Sequence, residues 1–178
     1  MEEPLPLAVD MDGTLILSDM SAITIKRVLL PRPWLLIPFL IKEFTGRRPL
    51  WKKELGARLK FKPSELDYHD DFLAWLTEER KRRKEIVLCT ASTIDVAQKV
   101  ADYVGLFDGV MATEDGPNLA AENKRKALVE RYGEKGFGYA GNSKDDLMVW
   151  PSAGEVIVVN ASSKTRKQIE SNADRIFD

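Results

Sequence analysis

The chain has 178 residues, with 27 basic against 28 acidic side chains for a formal net charge of -1. That length fits one domain with a sizeable core, and the near balance of charge gives no global reason to bind nucleic acid. Cys89 is the sole cysteine and His69 the sole histidine, which excludes an intrachain disulfide, a cysteine-based zinc cluster and a multi-histidine metal centre, so any metal must be held by oxygen.

The N-terminus Met1-Glu2-Glu3-Pro4 is acidic. It lacks the basic and apolar regions of a secretory signal, so a cytoplasmic location is expected. Residues 5–9 form a short apolar run, the pattern of a buried strand. Asp10-Met11-Asp12-Gly13-Thr14 follows. Residues i and i+2 of a strand share a face, so Asp10 and Asp12 converge on one small site if the extended geometry persists, and Gly13 lets the chain bend away. Paired carboxylates suit a hard cation such as Mg²⁺, and one of them can also act as a nucleophile. A turn rich in Asp and Gly is the plain alternative.

Residues 28–41 are strongly apolar but interrupted by Pro31, Arg32, Pro33 and Pro38, too short and broken for a membrane span of roughly 20 residues. Residues 42–62 carry Lys42, Arg47, Arg48, Lys52, Lys53, Arg58, Lys60 and Lys62 against Glu43 and Glu54. An apolar segment beside a basic one fits an interfacial element on an anionic membrane. It equally fits a helix packed on the core with a solvated basic face, or a surface that attracts an anionic substrate.

From there, helical and strand patterns alternate. Helices are predicted over 68–84, with Phe72, Trp75, Leu76 and Glu79 on one face, and over 94–104, with Val96, Ala97, Val100, Ala101 and Val104 in one stripe. Ser92 with Asp95 resembles a capping box at the start of the second. Further helices are predicted over 122–132 and 163–176, and strands over 85–90, 109–112, 138–140 and 155–159, mostly short apolar runs of the kind buried in parallel sheets. The order predicts an α/β three-layer sandwich around a parallel sheet. Ligands of such sheets bind beyond the carboxyl ends of the strands. There lie Asp10 and Asp12, then Thr90 and Ser92, then Asn142, Ser143, Asp145 and Asp146.

These residues resemble the motifs of the haloacid dehalogenase (HAD) superfamily of phosphohydrolases. The first motif, DxDGT, matches residues 10–14 in full; Thr90 fits the second, Lys124 the third, and Gly141-Asn142-Ser143-Lys144-Asp145-Asp146 the acidic fourth, with Asn142 in place of its first acid. Residues 118–124 and 141–150 are more narrowly similar to the HAD-like domain fused to UbiA-type prenyltransferases. The resemblance implies a Rossmannoid core over 1–18 and 68–178 with a small helical cap at 19–67. It implies a Mg²⁺-dependent phosphatase in which Asp10 attacks phosphorus and Asp12 handles the proton. Thr90 and Lys124, with main-chain groups at Gly13 and Ala91, would hold the phosphoryl oxygens, and Asp10, Asp12, Asn142 and Asp146 the metal. Asn142 is uncharged, so weaker metal binding is expected. The implied substrate is a small phosphate ester, with room for an apolar or prenyl group, and the cap is the candidate for peripheral contact with the inner membrane face. A phosphomutase shares the paired-aspartate chemistry, and a non-catalytic phosphate-binding or prenyltransferase-partner module is the alternative from another class.

Other signals carry less. Gly136-Phe137-Gly138-Tyr139-Ala140-Gly141 spells GxGxxG but runs through a predicted strand, the wrong context for a dinucleotide site. Asn160-Ala161-Ser162 is a formal sequon, irrelevant without export. Cys89 reads as a small buried strand residue, and His69 as a residue near a helix start.

Overall fold

A computed structural model of the chain describes residues 3–24, 26–27, 34, 61–114 and 118–178. Most of the expected cap, with nearly all of the apolar 28–41 and basic 42–62 segments, lies outside the described residues. Among the described residues, no helix is long and apolar enough to cross a membrane.

Six parallel strands, β1 (Leu7–Val9), β2 (Ile86–Thr93), β3 (Gly109–Thr113), β4 (Gly138–Gly141), β5 (Glu155–Val159) and β6 (Arg175–Phe177), form one sheet in the order β3-β2-β1-β4-β5-β6. The helices are α1 (Met20–Thr24), α2 (Asp70–Arg82), α3 (Ile94–Val104), α4 (Ala121–Tyr132) and α5 (Ser163–Ile169). Alternation along the strands divides the core in two. Leu7, Val9, Ile86 and Leu88 pack with Phe72 and Leu76 of α2 and Val96 and Val100 of α3 on one face. Ala8, Val87 and Cys89 pack with Leu128 of α4, Trp150 and Ile169 of α5 on the other. Covering both faces explains why the strands read as unbroken apolar runs. The three-layer α/β sandwich expected from the sequence is the fold.

Helix α2 begins at His69, whose Nδ1 accepts a hydrogen bond from the Phe72 amide at 3.4 Å. Asp70 and Asp71 fill its first turn and Arg80, Lys81 and Arg82 its last, matching the helix dipole at both ends. Glu79 belongs on the buried face because Arg83 meets it there. The Arg83 guanidinium donates to Glu79 Oε2 at 2.6 Å, to Glu155 Oε2 at 2.7 Å and to the Leu5 carbonyl at 2.7 Å, tying α2 to the amino-terminal edge of the sheet. Helix α3 spans the predicted residues and ends at Gly105, which adopts the left-handed conformation (φ 70°) suited to a glycine C-cap.

Two local expectations change. Ser92 does not cap α3: it lies within β2, the residue preceding the helix is Thr93, and no side-chain cap bond forms there. The predicted helix over 163–176 stops at Ile169, passes through a 3₁₀ turn at Glu170–Asn172 and becomes β6. The reason is tertiary. Ile176 and Phe177 pack on opposite faces of the sheet, as neighbours in a strand do, and Phe177 joins an aromatic cluster with Phe72 and Trp75 at ring separations of 5.4 Å.

Candidate active site

The strand order reverses between β1 and β4, and a crevice opens beyond their carboxyl ends, where ligands of open α/β sheets bind. It is a cleft of about 490 Å³ lined by all eight residues singled out from the sequence: Asp10, Asp12, Gly13, Thr90, Ala91, Lys124, Asn142 and Asp146. Two of its walls come from neighbouring parallel strands, and a third from α4, which turns Lys124 and Leu128 to its buried side. Leu128 is apolar core. Lys124 reaches up from the same stripe into the cleft floor.

Lys124 Nζ donates to Asp10 Oδ1 at 2.7 Å and to the Tyr139 hydroxyl at 2.9 Å. The Tyr139 hydroxyl donates in turn to Asp146 Oδ1 at 2.5 Å. Asp146 Oδ2 accepts from the Asn142 amide at 3.1 Å and from the Ser143 amide and hydroxyl, both at 2.8 Å. Both oxygens of Asp146 thus already accept bonds within the protein, which shape the loop after β4. Asp12 is held differently: Oδ1 accepts from the Met20 amide at 2.7 Å and Oδ2 from the Ser92 hydroxyl at 3.0 Å. Thr90 Oγ1 accepts from the Ser92 amide at 3.1 Å, which leaves its own hydroxyl hydrogen to donate.

Gly13 has φ 79°, and a Cβ there would lie 2.0 Å from Asn142 Nδ2. The β1 and β4 loops close on each other only because this residue has no side chain. Its amide donates to the Ile16 carbonyl at 2.7 Å. The amide contribution expected at Gly13 is thus redirected into the loop, and what Gly13 supplies to the cleft is space. The Ser92 amide is similarly engaged with Thr90.

Electrostatics follow from burial. Desolvation pushes the Asp10 carboxyl up to about 7; the Lys124 ammonium pulls it down, and Asp146 and Asp12 push it further up. Asp12 is also raised, by burial first, against the opposing bonds from Met20 and Ser92. For Lys124, burial favours loss of the proton, but Asp10 and Asp146 override it and hold the ammonium above its ordinary range. Burial also pushes the Cys89 thiol up to about 12, as befits an inert strand residue.

Carboxyl groups outnumber the single ammonium of Lys124 in the cleft. Asn142 Oδ1 is buried with no hydrogen-bond partner. Two carboxylates and an unpartnered amide oxygen are hard donors whose charge matches a divalent cation such as Mg²⁺, so these residues fit that ion. Among the described residues, no three carboxylate, imidazole or thiolate side chains form a metal cage by themselves.

Two contributors, Tyr139 and Asn160, are not among the site residues that the sequence points to, and a third, Ser92, acts there through a bond that the sequence does not reveal. Tyr139 sits in an apolar strand, where the need of a buried phenol for a partner is the one signal that could have marked it. Ser92 stands at the strand end beside Thr90, as expected, but its hydroxyl orients Asp12 at 3.0 Å instead of capping a helix. Asn160, read only as part of a sequon, lines the cleft with φ 47° and donates from Nδ2 to the Gly13 carbonyl at 3.4 Å.

No protein-family model matches the chain. It is 30% identical over 168 residues to the uncharacterized protein y4nM of Sinorhizobium fredii, a match that spans 94% of this chain but 32% of that protein. The chain thus covers about a third of the length of the curated relative it matches. Among solved structures, the HAD family hydrolase t0658 of Salmonella enterica serovar Typhi aligns with a TM-score of 0.68 at 17% identity, covering 98% of this chain and 68% of that one. Phosphoserine phosphatase in its apo form aligns at 0.66 and 14% identity over 98% and 94% of the two chains. A phospho-aspartyl intermediate analogue of phosphoserine phosphatase aligns at 0.61 and 14% over 99% and 94%. At these identities the likeness establishes a shared HAD-like fold.

Proposed function

We propose that the chain is a phosphatase that hydrolyses a phosphate monoester through a covalent intermediate on Asp10. The observation that carries this reading is the pair of differently held carboxylates: Asp10 anchored by Lys124 at 2.7 Å, and Asp12 oriented by Ser92 and Met20. One oxygen of Asp10 is fixed by the ammonium, which leaves the other to attack. Phosphoserine phosphatase, whose phospho-aspartyl intermediate analogue shares the fold, supports the same assignment by analogy.

In the first step a free Asp10 oxygen bonds to phosphorus as the ester oxygen departs, and Asp12 gives that oxygen its proton. In the second, Asp12 takes a proton from water while the water oxygen bonds to phosphorus, releasing inorganic phosphate and restoring the Asp10 carboxylate. Splitting one displacement into two lowers each barrier, and one group serves both proton transfers. The raised affinity of Asp12 for its proton favours the acid role. Lys124 and the Thr90 hydroxyl would hold phosphoryl oxygens, fixed donors of the kind on which phosphoryl transfer depends. Asp10, Asp12, Asn142 and Asp146 would hold Mg²⁺; when bound, the ion neutralises charge on the phosphoryl group.

The test is turnover of an aryl phosphate and a panel of phosphorylated metabolites and prenyl-linked phosphates, with and without Mg²⁺, beside Asp10→Asn. The expected outcome is Mg²⁺-stimulated release of phosphate that the substitution lowers by roughly a thousandfold or more, the scale on which loss of a nucleophile acts. Turnover indifferent to Asp10→Asn would refute the nucleophile. A folded protein inert across the whole panel would favour the non-catalytic phosphate-binding module to which Asn142 is the pointer.

A further inference from the structure

Beside the aspartate cleft, and sharing Asn142, Ser143 and Asn160 with it, opens a second cavity of about 550 Å³. Its chemistry is the reverse of its neighbour's. The cleft holds Asp10, Asp12, Asp19, Asp145 and Asp146 against Lys124; the second cavity is lined by Lys144 and Lys164 and by no acidic side chain. Several exposed cations elsewhere on the described surface are drawn to carboxylates: Lys81 meets Glu78, Lys84 meets Glu3, and Arg166, one turn from this cavity, meets Glu170 and Asp178. The ammonium groups of Lys144 and Lys164 enter no ion pair or hydrogen bond with a described residue; the Lys164 carbonyl accepts from Gln168 Nε2 at 3.4 Å. The wall between the two spaces is fixed, because Asn160 is held in its left-handed conformation and bonded to the Gly13 carbonyl.

We propose that this cavity is a second anion subsite, and that the substrate is a phosphate ester whose leaving group carries a further anionic group, a carboxylate or a second phosphate. The inference rests on the phosphatase reading of the adjoining cleft. With the scissile phosphoryl group at Asp10, a leaving group extending past Asn142 and Asn160 brings its second anion between Lys144 and Lys164. Ammonium groups with no carboxylate of their own gain charge-assisted hydrogen bonds from such a ligand without breaking an existing pair. An ester with only one anionic group, held at Asp10, has nothing to gain from the lysines.

The experiment compares three esters on wild type and on a Lys144→Ala/Lys164→Ala double variant: an aryl phosphate with an uncharged leaving group, a phosphorylated hydroxy acid, and a bisphosphate. The expected result is a wild-type preference in kcat/KM for one or both doubly anionic esters that shrinks by roughly tenfold in the double variant, chiefly through KM, as loss of contacts to a non-reacting part of the substrate requires. The carboxylate and bisphosphate arms tell which anion is taken. An equal loss on all three esters, or no wild-type preference to lose, would overturn the subsite. If no ester is hydrolysed, calorimetric binding of the same bisphosphate decides the matter separately. Affinity lowered by the double substitution keeps the subsite while the phosphatase reading falls, and affinity indifferent to it removes both.

Discussion

The Tyr139 hydroxyl stands between Lys124 and Asp146, accepting a hydrogen bond from Nζ at 2.9 Å while donating to Oδ1 at 2.5 Å. It joins the base of α4 to the loop after β4, and so sets where Lys124 meets Asp10. Burial and the Asp146 carboxylate both hold the phenol well above its ordinary range, so it remains a neutral donor. Tyr139→Phe keeps the ring that packs edge-on against Trp150 but leaves a buried ammonium hydrogen and a buried carboxylate oxygen short of a partner. The expected cost is about 1–3 kcal/mol of stability, read from urea denaturation. A kcat lowered by about tenfold with the fold intact would accompany it, because the ammonium loses one of its two fixed partners. A variant as stable and as active as wild type would show that the bridge does not matter.

The pH dependence of the metal-free protein follows from Asp10. Its folded-state value is about 7 against an ordinary 3.8, so the folded state holds the proton more tightly than the unfolded one. Stability from this group is therefore fully present below about pH 4 and is lost as pH rises through about 7. Asp12, raised in the same direction, adds to the trend. Urea midpoints measured in chelator at pH 4.5, 6 and 7.5 should fall across that window, and the slope should be shallower in Asp10→Asn. A parallel profile for the two proteins would mean that the Asp10 carboxyl is not held in its protonated form by burial. Lys124 acts at the other end: its raised value keeps its contribution intact below its ordinary 10.5 and surrenders it only in stronger alkali.

Far from the cleft, Arg83 has a buried guanidinium paired with Glu79 and Glu155. Arg83→Ala removes the partner that compensates a Glu79 carboxylate itself only 4% exposed. Breaking a buried pair on one side costs about 3–5 kcal/mol, and the lower end is expected because Arg82 also reaches Glu79 Oε1 from the surface. Thermal denaturation should show the loss, with KM for a small phosphate ester unchanged. A shift below about 1 kcal/mol would mean that Arg82 alone satisfies Glu79.

Five of the six strands and the extent of α3 could be read from the chain because buried parallel strands and an amphipathic helix impose local periods on it. The sixth strand could not. Residues 170–177 carry polar and apolar side chains in an order that continues a helix as well as it makes a strand, and only the free edge of β5 and the aromatic cluster around Phe177 decide between them. The cleft shows the same division. Asp10, Asp12, Thr90, Lys124 and Asp146 stand at strand ends or on a helix face, where topology alone brings chemistry together. The bond from Ser92 to Asp12 spans 80 positions of the chain and that from Asn160 to Gly13 spans 147. No local pattern encodes either.

Asn142 offers the sharpest handle on the cation. Its Oδ1 is buried without a partner, while its Nδ2 crowds the space above Gly13, so Asn142→Asp exchanges an amide for a carboxylate of nearly the same shape. In the metal-free protein this adds a negative charge to a cleft that already has an excess, so the thermal midpoint should fall. With Mg²⁺ the sign reverses. One extra charge at ligand distance attracts a divalent ion more strongly than a neutral amide does, so affinity should rise by roughly tenfold or more. A ligand that binds only the folded state stabilises it in proportion to the logarithm of its concentration over Kd. Titrating Mg²⁺ against the thermal midpoint of both proteins therefore yields curves that cross, with the variant less stable at zero Mg²⁺ and more responsive as the ion is added. Curves that stay parallel would place the cation elsewhere and leave Asn142 as a spacer over Gly13.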